Sequence, residues 1–196
     1  MNSNTLEESL KLFERTLQIL ALTIYDKLSP GLPKEYLVEM LSRLRVKDEN
    51  LVTLFNWKNG IENGWQYKIT EYDICSFGKM PDFNNAVSLY LAGKASGSPG
   101  KHLFPVMTSF GGDYLYYDMN TKSKTFASLL VYSPAILVNK PVAAFECLPD
   151  FFNCINKCFL DRIYSLDDTG RHLNIDFEKE TSFMKERNPK VKFWKL

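Results

Sequence analysis

Apolar residues recur at alternating spacings of three and four near the start of the chain, from Leu6 to Ile24. This spacing places them on one stripe of an amphipathic helix. Thr5 and Glu8 form a capping-box pattern at its start, and Pro30 cannot continue it, so the helix is predicted to end by Ser29.

Two more helices follow in the N-terminal part. One is predicted to begin at Pro33, whose fixed φ suits the first helical position. The next is predicted to begin at Asp48, a capping residue, and to end at Asn59-Gly60, where glycine can adopt the left-handed conformation. The inward-facing residues are predicted to be Tyr36, Leu37, Met40, Leu41 and Leu44 in the first of these and Leu51, Leu54 and Phe55 in the second.

The middle of the chain changes to alternating patterns rich in tyrosine, isoleucine and valine, which indicate strands. Strands are predicted over 67–77, 103–108, 114–118 and 126–132. The polar connection 120–124 predicts that the last two strands pair as an antiparallel hairpin at the centre of the sheet.

The remaining segments are predicted to form three helices and one loop. Helical spacing begins at Asp82, and the glycine- and serine-rich stretch 93–100 is predicted to be a mobile loop. Further helices are predicted over 148–163 and from Asp176 to Arg187. The order of helices, strands and helices predicts an α+β fold, with a central antiparallel sheet against which N-terminal helices and a C-terminal helix pack.

Composition narrows the classes of function. A chain of 196 residues with 45% hydrophobic residues can build one core, so a single domain over 1–196 is expected. The net charge of +1 gives no overall attraction to nucleic acid or an anionic membrane. The polar, acidic start and the lack of a long apolar run lead us to expect a cytoplasmic protein.

Histidines and a glycine-containing loop are weak candidates for ligand chemistry. Residues 95–101 partly resemble a phosphate-binding loop, but Pro99 lacks an N–H and a strand follows in place of a helix. His102 and His172 have no ligand-forming neighbours at helical spacing and are interpreted as surface residues. No cofactor and no metal site is expected.

The four cysteines are expected to be reduced and mostly buried. Cys154 and Cys158 lie one helical turn apart, but no second pair completes a four-ligand metal site, so core packing is favoured. Cys147 could act as a nucleophile only if a histidine activated it, and the sequence has no such signature.

Asp113 and Asp118 flank a run of tyrosines and could in principle form an acid/base pair. Strand alternation instead sends Leu115 and Tyr117 to one face and Tyr114, Tyr116 and Asp118 to the other, which favours aspartates that mark the strand ends. Gly111 and Gly112 are predicted to give the backbone its freedom before the strand, so substituting them should damage folding.

The C-terminal stretch 185–196 mixes basic residues with Phe193 and Trp194 and could in principle bind nucleic acid. A tail packed by its two aromatic side chains is favoured, because aromatic residues dominate ordinary packing. Direct nucleic-acid binding is therefore not expected.

Several motifs taken in order resemble the SUKH superfamily, which groups Smi/Knr-type fungal cell-wall regulators with bacterial immunity proteins. They lie between about 28 and 160, and the segments that differ most are 46–52, 93–100 and everything after Asp161. The motifs are Leu32 to Tyr36 opening a helix, Leu54 to Gly60 closing one, Leu103 to Pro105 in a strand, Gly111 to Asp118, and Phe145 to Phe159 as a helix.

The resemblance implies an α+β domain that binds a partner protein without catalysing a reaction, in bacteria typically by neutralising a cognate toxin. Two alternatives stay open, a regulatory or scaffold protein of the same fold and an unrecognised enzyme using Asp113, Asp118 or Cys147. Aromatic residues anchor many interfaces, although ordinary packing is the alternative for each one. The expected partner-binding residues are Tyr114, Tyr116, Asp118, Trp57 and Trp65.

Overall fold

Seven α-helices form within the residues that the computed structural model describes, which are 4–67, 70–134 and 138–195. None of the helices in these ranges is long and apolar enough to cross a membrane. The helices are α1 (Leu6–Leu20), α2 (Leu22–Tyr25), α3 (Lys34–Arg43), α4 (Glu49–Trp57), α5 (Phe83–Ser96), α6 (Leu148–Leu160) and α7 (Phe177–Arg187).

Four strands form an antiparallel sheet in the order β1-β2-β3-β4, and two short strands pair separately. The strands β2 and β3 are central and pair as the predicted hairpin. The fold is therefore α+β, as the sequence predicts. The strands are β1 (Leu103–Thr108), β2 (Tyr114–Asp118), β3 (Leu129–Ser133), β4 (Val138–Phe145), β5 (Tyr164–Leu166) and β6 (Leu173–Ile175).

Helices pack on one face of the four-stranded sheet. Phe55 of α4 and Tyr90 of α5 contact Phe104 of β1, at 6.0 and 5.5 Å between ring centroids. Phe151 of α6 lies 5.1 Å from Phe145 of β4. These contacts belong to one continuous buried cluster that includes residues from Leu6 to Trp194.

Capping residues locate the starts of α1, α4, α5 and α7 correctly, whereas Pro33 precedes α3 as its cap and is not its first helical residue. Thr5 and Glu8 form the reciprocal capping box of α1. The Asp48 carboxylate accepts from two backbone N–H groups of α4, and Asp82 and Asp176 each accept from one backbone N–H of their helices.

The first predicted helix is interrupted. At Ala21 the backbone leaves the helical region, with φ −148° and ψ 48°, and α2 ends at Tyr25. No glycine or proline marks the break. Leu20, which the pattern places on the apolar stripe, is 46% exposed, whereas Ala21 and Ile24 are buried, so the stripe shifts by one residue at the break.

The predicted strand over 67–77 is wrong where the structure describes it, and 68–69 lie outside the described residues. Thr70 and Tyr72 have φ of 62° and 59°, which no extended strand allows. From Tyr72 to Cys75 four consecutive residues are buried. The apolar content of this segment therefore reflects an irregular core-filling loop and not a two-sided strand.

Other element boundaries also shift. The predicted loop over 93–100 begins late, because α5 continues to Ser96 and Gly97 ends it with φ 74°. The strand predicted over 126–132 starts at Leu129, because Ala127 has φ 65° and belongs to the hairpin connection. The strands β4, β5 and β6 were not predicted.

The C-terminal tail packs as predicted. Trp194 lies in a short 3-10 helix, and its indole N–H donates to the carbonyl oxygen of Ala144 at 2.8 Å. Its ring contacts Phe77 and Phe145 in the core. The tail therefore covers the end of β4.

Candidate functional site

The second face of the four-stranded sheet carries a separate apolar cluster, which we call the tyrosine face. Every member lies on a strand, and no helix in the described residues contributes to it. Its members are Leu103, Tyr116 and Leu130, which are buried, and Tyr114, Tyr132 and Ala143, which pack around them.

Three tyrosine rings cover this face themselves. The Tyr116 ring lies 5.4 Å from that of Tyr114 and 6.4 Å from that of Tyr132. Burial raises the pKa of Tyr116 well above its ordinary value, which favours the neutral hydroxyl still further. Within the described part of the chain, none of the three hydroxyls makes a hydrogen bond to another protein group. They are donors and acceptors left for water or a partner.

Alternation along β2 places its residues as the sequence predicts. Leu115 and Tyr117 enter the main core, and Tyr114 and Tyr116 lie on the tyrosine face. Leu130 and Tyr132 of β3 pair opposite Tyr116 and Tyr114 and complete the face. Sequence reasoning missed these two, although the same alternation in 129–133 could have found them.

Asp118, an expected partner-binding residue, instead accepts hydrogen bonds within the β2–β3 hairpin. It is only 3% exposed, and its two carboxylate oxygens accept from the Asn120 N–H and the Thr125 hydroxyl, both at 2.8 Å. The carboxylate therefore holds the β2–β3 connection and has no free oxygen facing a partner.

Asp113 is engaged in the same way at the other end of β2. It accepts hydrogen bonds from the hydroxyls of Ser109 and Ser133. Because Asp118 comes five positions after Asp113 along extended backbone, their Cα atoms lie roughly 16 Å apart. The two aspartates do not form an acid/base pair.

A cleft of about 450 Å³ adjoins the tyrosine face at the Asp113 end. Tyr114 lines it and joins the two features. Phe110, in the β1–β2 loop, also lines the cleft and is 62% exposed. Phe110 therefore adds exposed apolar area next to the tyrosine face. Other lining residues are Ile61, Met80, Pro81, Leu89 and Thr108.

Of the two tryptophan candidates, Trp57 does not join this surface. Trp57 packs on the core side, 6.2 Å from Phe13 and 5.7 Å from Phe152, and its indole N–H donates to Glu14 at 3.4 Å. It also lines a separate cleft of about 250 Å³. Trp65 lies in a 3-10 helix, Gly64–Gln66, and its side chain lies outside what the structure describes.

An ion pair that the sequence did not reveal lies behind the cleft. Lys79, which lines the cleft, is 4% exposed and donates to the carboxylate of Asp73 at 2.5 Å. Burial raises the pKa of Asp73, while Lys79 and His172 act in the opposite direction. His172 is half-buried beside the Thr70 hydroxyl at 3.1 Å, whereas His102 is exposed as expected.

All four thiols are free, and three of them are buried. Burial raises the pKa of each one, to about 11 for Cys154 and about 12 for Cys147. In the described residues, no group of three or more His, Cys, Asp or Glu side chains is placed to hold a metal ion.

We expect Cys147 to be a poor nucleophile. The raised pKa lowers its thiolate fraction near neutral pH, and the greater intrinsic reactivity of a basic thiolate only partly offsets this loss. Ellman's reagent should therefore react with the native protein at least about 30-fold more slowly than with free cysteine. A native thiol that reacts as fast as free cysteine, and that a Cys147→Ser variant removes, would contradict this expectation.

No protein-family model matches this chain, and no curated protein matches it in sequence. The description of this protein therefore rests on its structure. It is an α+β protein with helices on one face of the sheet and a tyrosine-covered surface on the other.

Proposed function

We propose that this chain is an immunity-type binding protein that neutralises a cognate toxin domain by protein–protein contact through the tyrosine face. The observation that carries the proposal is the tyrosine face itself, a sheet surface with unused hydroxyls and no covering helix in the described residues. Tyrosine supplies large contact area with little loss of side-chain entropy and is enriched where interfaces gain most of their binding energy.

The resemblance of 28–160 to the SUKH superfamily supports a binding role, and specifically toxin neutralisation. The chemistry of the site agrees with this role. Asp113 and Asp118 have both carboxylate oxygens engaged, and Cys147 is held as a neutral thiol. Asp113 and Asp118, two of the three residues that first raised the alternative of an enzyme, therefore hold the ends of β2 by hydrogen bonds.

Co-expression tests the proposal directly. A toxin domain encoded beside this gene would be expressed in bacteria with and without the chain, and growth and complex formation would be measured. We expect rescue of growth and a stable stoichiometric complex. If the toxin domain is active but the chain neither binds nor protects, the proposal fails. Binding without protection would favour a regulatory or scaffold role.

Phe110→Ser provides a sharper test of the surface. Phe110 is 62% exposed, so its loss should leave stability nearly unchanged. Binding of the toxin domain should weaken at least about 10-fold, because exposed aromatic anchors lose much of their water-accessible area in an interface. Isothermal titration calorimetry measures the change.

Phe177→Ser is the matched control. Phe177 is 65% exposed and lies at the start of α7, outside both the tyrosine face and the cleft. We expect its affinity to equal that of the unsubstituted protein. Equal weakening by both substitutions would place the interface elsewhere.

A further inference from the structure

Charge is distributed unevenly along the segment that carries the tyrosine face. Between 83 and 145 the sequence has five lysines and only two acidic residues, although the whole chain is nearly balanced at +1. The two acids are Asp113 and Asp118, whose oxygens are engaged as described. The net charge of 83–145 is therefore +3, whereas the whole chain is nearly neutral at +1.

Three of these lysines gather at one end of the sheet. Leu103 pairs with Asp118, and the Met119 N–H donates to the His102 carbonyl oxygen at 3.0 Å. This pairing sets Lys101, just before β1, beside the β2–β3 connection that holds Lys122 and Lys124. We call Lys101, Lys122 and Lys124 the lysine rim.

The lysine rim is exposed to solvent and, within the described ranges, makes no ion pair. All three residues are exposed, and within the described ranges none of them forms an ion pair. Asp118 is the acidic residue nearest in sequence to Lys122 and Lys124, and it is buried. Phe126, in the same connection, is 45% exposed and adds apolar area beside the charges.

We infer that the tyrosine face and lysine rim together bind an acidic protein surface, so that the partner presents carboxylates to Lys101, Lys122 and Lys124 and apolar groups to the tyrosines. This inference rests on the proposed function and specifies its partner. Complementary charge at the edge of an interface steers association and rejects partners of the wrong sign. It also predicts an association rate that falls with salt.

Nucleic acid is the competing acidic ligand, and the tyrosines argue against it. Bases bind by stacking on open ring faces. Tyr116 is only 5% exposed because Tyr114 and Tyr132 lie against it, so the central ring of the platform is closed to a base. Hydroxyls and apolar edges remain available to a protein surface.

The test compares two triple variants of the full chain with equal changes in net charge. The rim variant carries Lys101→Glu, Lys122→Glu and Lys124→Glu. The control variant carries Lys11→Glu, Lys47→Glu and Lys192→Glu, which replace exposed lysines without ion pairs in the described residues and away from the tyrosine face.

Poly-L-glutamate serves as the first probe and is titrated into isotope-labelled protein by NMR at about 10 mM ionic strength. We expect amide shifts at the lysine rim and the tyrosine face, and an affinity at least about 10-fold weaker for the rim variant than for the control. Shifts confined to 185–195, equal loss in both variants, or tighter binding of single-stranded DNA than of poly-L-glutamate would overturn the inference.

The toxin domain is the second probe, and stopped-flow mixing measures its association rate. The rim variant should associate at least about 10-fold more slowly than the control at about 10 mM ionic strength, with a smaller difference at about 150 mM. If the rim variant associates as fast as the control, the inference fails while the proposed function stands. If the unsubstituted chain does not bind the toxin, the proposed function fails, and the poly-L-glutamate result still decides the charge of the ligand.

Discussion

Replacing Gly78 by alanine is expected to lower the free energy of unfolding by roughly 4 kcal/mol or more, which is an exceptional loss for a single methyl group. Gly78 ends a turn from Cys75 and has φ 93°. An added Cβ would lie 2.3 Å from the Thr108 carbonyl oxygen and 2.8 Å from the Ser109 Cα. The carbonyl cannot easily move, because it accepts from the Lys79 N–H at 2.9 Å.

Comparing Gly112→Ala with Gly78→Ala separates the steric cost of the added Cβ from the cost of placing alanine in the left-handed conformation. Gly112 has a similar φ of 80°, but an added Cβ would meet no atom within 4 Å. We expect a loss of only about 1 kcal/mol from the left-handed conformation. Urea unfolding measures both variants, and equal losses would show that the contact with Thr108 is not the cause.

Replacing Lys79 by methionine is expected to cost about 3–5 kcal/mol of stability, because it leaves the Asp73 carboxylate buried without its partner. Lys79 is 4% and Asp73 9% exposed. The double variant Lys79→Met, Asp73→Asn removes both charges and should lose less than Lys79→Met alone. A double variant whose loss equals the sum of the two single losses would show that the pair is not coupled.

The loss of stability in Lys79→Met should depend on pH, and it should become smaller as the pH falls. Burial already raises the pKa of Asp73 above 3.8, and removing Lys79 takes away the strongest opposing influences. The native variant therefore binds a proton at pH values where the unfolded chain does not, and its stability rises as pH falls through that window. The deficit should be largest at neutral pH and shrink towards pH 3.8. A deficit that is constant over this range would contradict the assignment.

Glycine shows why sequence finds some structural requirements and not others. Gly111-Gly112 is conspicuous in the sequence because it precedes a strand, yet an added Cβ at either position meets no backbone atom within 4 Å. Gly78 is a single glycine that directly follows the predicted strand 67–77. Its requirement comes from a carbonyl oxygen thirty residues away, and no local pattern encodes that approach.

The candidate site was predicted only in part, for a similar reason. Alternation gave Tyr114 and Tyr116 a common face, because the two-residue period of a strand is a local property. Trp57 is a partner-binding candidate by residue type alone. Its packing against Phe13 and Phe152 places it on the core side. Phe110 carries no period and was not predicted, because only its tertiary neighbours make its exposure notable.

The sequence by itself determined the α+β class, the capped starts of the helices and the β2–β3 hairpin, since capping, turn and alternation signals act between neighbours. Only the tertiary structure decided which sheet face the helices cover. Both faces of β2 are apolar, Leu115 and Tyr117 on one and Tyr114 and Tyr116 on the other. The hydrophobic pattern cannot show which of two apolar faces the helices cover, because both faces would gain from burial. The answer depends on how the helices pack over the whole chain.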